Sequence, residues 1–182
     1  SFLAINLFDE AIDTLQKSII LDDKNYDTYF NLGITYFNQG DYNESLKNYK
    51  YAIKLNNQID KIHYNMAITL SKKGNNKEAI NFLLETLKLN PSHIKALNNI
   101  GLLYIDNNNY ELAFNYLKKA IDLNPDYSKA YNNLGALYFQ IKDYKQALHC
   151  YDKAFKLDKN LYSAGVQKYF LKRLSCDWSN EK

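Results

Sequence analysis

Four asparagines, Asn31, Asn65, Asn99 and Asn133, recur every 34 residues, and two more, Asn98 and Asn132, stand just before the last two. A carboxamide carries two N–H donors and an acceptor oxygen, so each can pair with the N–H and the C=O of an extended peptide backbone whatever its side chains. Lys61, Lys95 and Lys129 repeat at the same interval and would favour acidic residues in such a ligand. A solvated helix face would carry those lysines equally well. Phe30 and Tyr64 flank the first two asparagines and offer apolar area. At roughly 0.5–1.5 kcal/mol net per hydrogen bond, four amide contacts supply on the order of 2–6 kcal/mol. Micromolar affinity needs about 8 kcal/mol, so aromatic or charged contacts must make up the difference.

Little else in the chain points to reactive chemistry. There is no glycine-rich phosphate loop, no spacing suited to a metal ion and no nucleophile beside a base, so neither a cofactor nor catalysis is expected. His63 falls at a core position, His93 in a connector, and His149 beside Cys150 on a helix, all of which read as structural. Cys150 and Cys176 are too few for a disulfide framework and fit no zinc pattern, which favours a reducing compartment and a cytoplasmic setting. No apolar run approaches the ~20 residues that span a bilayer, and the first residues lack the marks of a signal peptide. The 23 basic and 20 acidic residues are interspersed, unlike a nucleic-acid footprint. The partner expected is therefore a protein or peptide, with neither nucleic acid nor membrane.

The elements that would position these residues follow from the period itself. Taking Tyr26, Asp60, Ile94 and Ser128 as first places, the eighth place holds Gly33, Ala67, Gly101 and Gly135, and the twentieth holds Ser45, Ala79, Ala113 and Ala147. Bulky residues fall at the fourth, eleventh and twenty-fourth places. Both apolar sets have helical spacing and are separated by polar turns such as Gln39-Gly40-Asp41 and Lys73-Gly74-Asn75. Each copy therefore reads as a two-helix hairpin. Asn90-Pro91 and Asn124-Pro125 mark sharp ends, whereas Asn57 and Lys159 replace the proline elsewhere and predict looser ones.

This 34-residue pattern with a small eighth residue resembles the tetratricopeptide repeat. The resemblance implies an all-α fold, a right-handed superhelical solenoid of antiparallel helix hairpins, with residues 26–59, 60–93, 94–127 and 128–161 as complete repeats. Residues 1–25 would be a partial first repeat, mainly its second helix. Residues 162–182 would be a capping helix or the start of a sixth repeat. An exposed Phe2 and Leu3 at the severed end would favour self-association. The family's concave surface is lined by the first helices, whose free face would present the second, fifth, sixth, ninth, twelfth and thirteenth places. Those include Phe37, Ile68, Leu102, Ile105 and Phe139 beside the lysines and amides, although packing of neighbouring hairpins would also account for some of them. The lysine and asparagine clamp of chaperone-tail binders is not evident, because the fifth place varies: Phe30, Tyr64, Asn98, Asn132.

After Leu161 the pattern loosens, and Cys176-Asp177-Trp178 stands where earlier turns stood. With the asparagine row, that tripeptide resembles the junction between repeats and catalytic domain in O-linked N-acetylglucosamine transferases. Three functions follow: a groove that binds an extended peptide or flexible segment, the substrate-recruiting arm of such a glycosyltransferase, or a scaffold working through its convex face.

Overall fold

The recurring turn residues set where each helix begins and ends. The computed structural model describes residues 2–174, with side chains from 7 to 173. The Cys176-Asp177-Trp178 motif and the Phe2 and Leu3 side chains lie outside the described residues. All ten elements among the described residues are α-helices, and no strand occurs among them. The chain forms two compact units, Ser1–His93 and Ile94–Lys182. The first contains α1 (Phe2–Leu21), α2 (Tyr26–Gln39), α3 (Tyr42–Leu55), α4 (Asp60–Lys72) and α5 (Asn76–Leu89). The second contains α6 (Ile94–Asp106), α7 (Tyr110–Leu123), α8 (Ser128–Gln140), α9 (Tyr144–Leu157) and α10 (Tyr162–Leu174). In the first, α2 pairs with α3 and α4 with α5, while α1 packs on α2 and α3 on α4. In the second, α6 pairs with α7 and α8 with α9, while α7 packs on α8 and α9 on α10.

Within each hairpin the turn is made at one left-handed residue. Gly40 (φ 91°), Gly74 (φ 82°), Asn108 (φ 57°) and Lys142 (φ 64°) occupy equivalent places. The next residue's N–H then closes back on the helix: Asp41 to Tyr36 O, Asn75 to Leu70 O, Asn109 to Tyr104 O and Asp143 to Tyr138 O, at 2.8–2.9 Å. Glycine adopts this conformation freely and asparagine with little strain, but lysine at position 142 holds it against its own Cβ. Asp41, Asn109 and Asp143 also accept N–H bonds from the first turn of the helix that follows.

Between hairpins the corner does not depend on proline. Asn56, Asn90, Asn124 and Asp158 have nearly the same backbone, with φ of −149°, −140°, −142° and −140°. In each, the side-chain oxygen accepts the N–H two residues on, from Gln58, Ser92, Asp126 and Asn160 respectively, at 2.9–3.2 Å. Asp22 does the same for Lys24 at 3.0 Å. This side-chain turn holds the corners at Asn57 and Lys159 as firmly as those with Pro91 and Pro125, so the looser ends expected there do not form.

The hairpins close on the small residues. Ala79, Ala113, Ala147 and Ser45 are fully buried, as are Ala52, Thr86, Ala120 and Ala154 about two turns further along the same helices. At the eighth place the fit is specific to each hairpin. A Cβ on Gly33 would sit 2.5 Å from Tyr49 Cδ1, one on Gly101 2.6 Å from Leu117 Cγ, and one on Gly135 2.9 Å from the Tyr151 ring. Where alanine stands instead, at Ala67, the place equivalent to Tyr49 holds Leu83, and both are buried.

Candidate functional site

The outward face of the first helices is built differently in the two units. In the first, α2 offers Phe30 and Asn31, and α4 offers Lys61, Tyr64 and Asn65. Asn31 and Lys61 are exposed, and the other three are half-buried. The Phe30 ring packs against Tyr49 at 5.9 Å and the Tyr64 ring against His93 at 4.7 Å, and both aromatics are half-buried. Asn65 donates from Nδ2 to the Lys61 carbonyl oxygen one turn back, at 2.8 Å.

In the second unit the amides join neighbouring helices. Asn98 on α6 is only 4% exposed and accepts from Asn133 Nδ2 on α8 at 3.0 Å, while its own Nδ2 donates to Asn99 Oδ1 at 3.4 Å. Asn132 accepts from the Ser163 hydroxyl on α10 at 3.3 Å. Helix phase alone places Asn98 on the free face, but the neighbouring hairpin covers it. Asn98 is therefore buried instead of open on that face. Ile105 departs from expectation for the same reason. It is buried with Ala113, Leu117, Leu134, Leu137 and Cys150. Lys95 and Lys129 are exposed, and Asn99, Asn132 and Asn133 are half-buried.

The histidines and the buried cysteine have structural surroundings. His63 Nε2 lies 3.0 Å from the Asn57 carbonyl oxygen, and its ring faces Phe82 at 6.0 Å. Burial pushes the Cys150 thiol up to about 11, helped by the Asp143 carboxylate, so at neutral pH it is a thiol and a poor nucleophile beside the exposed His149. Among the described residues no cluster of three or more histidine, cysteine or carboxylate side chains could hold a metal ion. No described helix is long and apolar enough to cross a membrane.

Sequence periodicity missed two features. One is the corner column at Asp22, Asn56, Asn90, Asn124 and Asp158, which is plain in the sequence at 34-residue spacing but overshadowed by the two prolines. The other is a lysine ridge on α3, which no other copy repeats.

Tetratricopeptide repeat models match residues 26–58, 60–93 and 93–160. No match occurs among curated proteins. Among solved structures, a tetratricopeptide repeat protein from Parabacteroides merdae superposes with a TM-score of 0.83 at 22% identity, covering 96% of this chain and 70% of that one. MamA from Desulfovibrio magneticus gives 0.75 at 24% identity over 85% of this chain and 87% of its own. YrrB, described as a repeat protein with an unusual peptide-binding site, gives 0.76 at 21% identity over 91% of this chain and 85% of its own.

Proposed function

This chain belongs to the tetratricopeptide repeat family, and from that premise we propose that it is a protein-interaction module binding an extended peptide or flexible protein segment on its first helices. One observation carries the reading. On α2 and α4, the exposed Asn31 amide and Lys61 ammonium accompany two half-buried aromatic rings, Phe30 packed on Tyr49 and Tyr64 packed on His93. Amides satisfy a peptide backbone, the ammonium attracts acidic side chains, and the ring edges supply apolar area that hydrogen bonds alone do not. The peptide-binding site of YrrB supports the same use of the fold. The second unit, by itself, carries amides and ammoniums of the same kind in Asn99, Asn132, Asn133, Lys95 and Lys129.

The experiment is selection of binders from a displayed library of unstructured peptides, followed by titration against Asn31→Ala and Lys61→Ala. Both positions are exposed, so neither change should disturb the fold. Selected peptides are expected to lose about tenfold or more to the double variant, since a neutral amide contact contributes roughly 0.5–1.5 kcal/mol and an exposed ion pair roughly 0.2–1 kcal/mol. Peptides that bind indifferently to both changes would remove this face from consideration.

A further inference from the structure

We propose that a second surface, the lysine groove on α3 and the end of α4, docks an acidic protein segment. Lys47, Lys50 and Lys54 follow one another at i, i+3 and i+7 on the outer side of α3, and Lys73 from the end of α4 closes the groove. The groove holds about 500 Å³, with Leu46 in its floor and the Tyr51 ring at its wall. Tyr51 is 48% exposed yet held flat against Tyr29, with ring centroids 5.5 Å apart. The Lys73 ammonium is likewise fixed, donating to Asn43 Oδ1 at 2.5 Å. Glu44 is the acidic neighbour, and it pairs with Lys47 at 3.2 Å. Lys50 and Lys54 form no ion pair among the described residues.

Folding does not call for this arrangement. Lys50 has like charges at i−3 and i+4, which repel, and among the three only Lys47 has a carboxylate partner, in Glu44. Nor does the repeat impose it. The equivalent places hold Asn81, Leu84 and Lys88 on α5, and Asn115, Lys118 and Asp122 on α7. On α9, Asp152 sits where Lys50 stands on α3 and takes both Lys156 and Lys168, at 2.7 and 2.6 Å. That groove carries one carboxylate shared by two lysines, whereas in the α3 groove Glu44 pairs with Lys47 and leaves Lys50 and Lys54 without an ion pair among the described residues.

The chemistry favours a peptide over a nucleic acid. Lysines act as point charges, without the flat fork that matches phosphate, and a lone exposed ring gives no series of stacking platforms. The three α3 lysines span roughly 10 Å at about 1.5 Å rise per residue. That is about the length of three extended residues, so two carboxylates on alternate residues, roughly 7 Å apart on one side of the strand, fit along the ridge.

The test is titration of the whole chain with an acetylated and amidated oligo-glutamate peptide, followed through backbone amide chemical shifts. Shifts are expected on α3 and the end of α4, with affinity falling as salt rises. Changing Lys50, Lys54 and Lys73 together to Gln should weaken binding about tenfold, the combined effect of three exposed ion pairs, with helical content unchanged. Lys50→Arg keeps the charge and should retain binding, and Lys118→Gln, at the exposed equivalent place on α7, should leave it intact. Undiminished binding by the triple variant, loss of binding in Lys118→Gln, or tighter binding of a charge-matched single-stranded oligonucleotide to α3 would each overturn the proposal.

Discussion

Replacing Asn133 by Ala should destabilise the second unit more than its half-buried position implies. Asn98 is 4% exposed, and its Oδ1 takes a hydrogen bond from Asn133 Nδ2 at 3.0 Å. Removing the donor leaves a buried acceptor without that partner, which costs about 1–3 kcal/mol, more than the ~1 kcal/mol net value of an ordinary hydrogen bond. For a chain of this size the thermal midpoint should fall by roughly 2–12 °C. The decisive comparison is a second change, Asn98→Leu, which keeps the branched shape and removes the orphaned amide. Placed on the Asn133→Ala background it should restore most of the loss, so the two changes would be strongly non-additive. Urea unfolding followed by circular dichroism measures both terms. If Asn133→Ala costs less than about 0.5 kcal/mol, or the pair is additive, the amide bridge between α6 and α8 does not hold this unit together. Because Asn133 has this structural duty, Asn31 and Lys61 are the cleaner positions for binding measurements.

Three further outcomes follow from the turns and the buried ionisable groups. Lys142→Gly should stabilise the protein by about 1 kcal/mol by relieving the left-handed strain, and Gly40→Ala should cost a similar amount, both read from denaturant midpoints. Asn57→Pro should stabilise by about 0.4–1 kcal/mol in the same assay, since the preceding Asn56 already has the extended backbone that proline requires. Burial raises the Cys150 thiol to about 11 and the Tyr49 and Tyr151 hydroxyls to about 12, so the fold favours their protonated forms. Their contribution is complete below pH 9, the ordinary value for the thiol, and is lost as pH climbs through 11 and 12, so denaturant stability should fall across that alkaline window.

The hairpins were legible in the sequence because burial at the eighth, twentieth and twenty-seventh places is decided within a hairpin, by helix phase and side-chain size. What lies between hairpins was harder to read. Asn98 and Ile105 share the phase of exposed residues on α6, and only the approach of the neighbouring helices buries them. Periodicity reports which way a side chain leaves its own helix, not what stands opposite. The corner at Asn56 was misjudged for a related reason. Proline is a conspicuous signal, whereas a carboxamide that folds back on the backbone looks like any polar loop residue. The lysine ridge escaped attention because repeats draw the eye to what recurs, and Lys47, Lys50 and Lys54 are what this hairpin does not share.

The pairing of glycine with a large partner at the hairpin crossing limits how such a chain can be rearranged. Moving α5 beside α2 would set Leu83 in the space shaped for the Tyr49 ring and leave a void. Moving α3 beside α4 would press that ring into the Ala67 methyl group. The second helices α3 and α5 are thus not interchangeable, despite the regular spacing of the sequence, whereas leucine stands opposite both Ala67 and Gly101. The smallest piece that duplication, deletion or recombination can transfer intact is the matched pair, cut at the side-chain-bonded corners on either side.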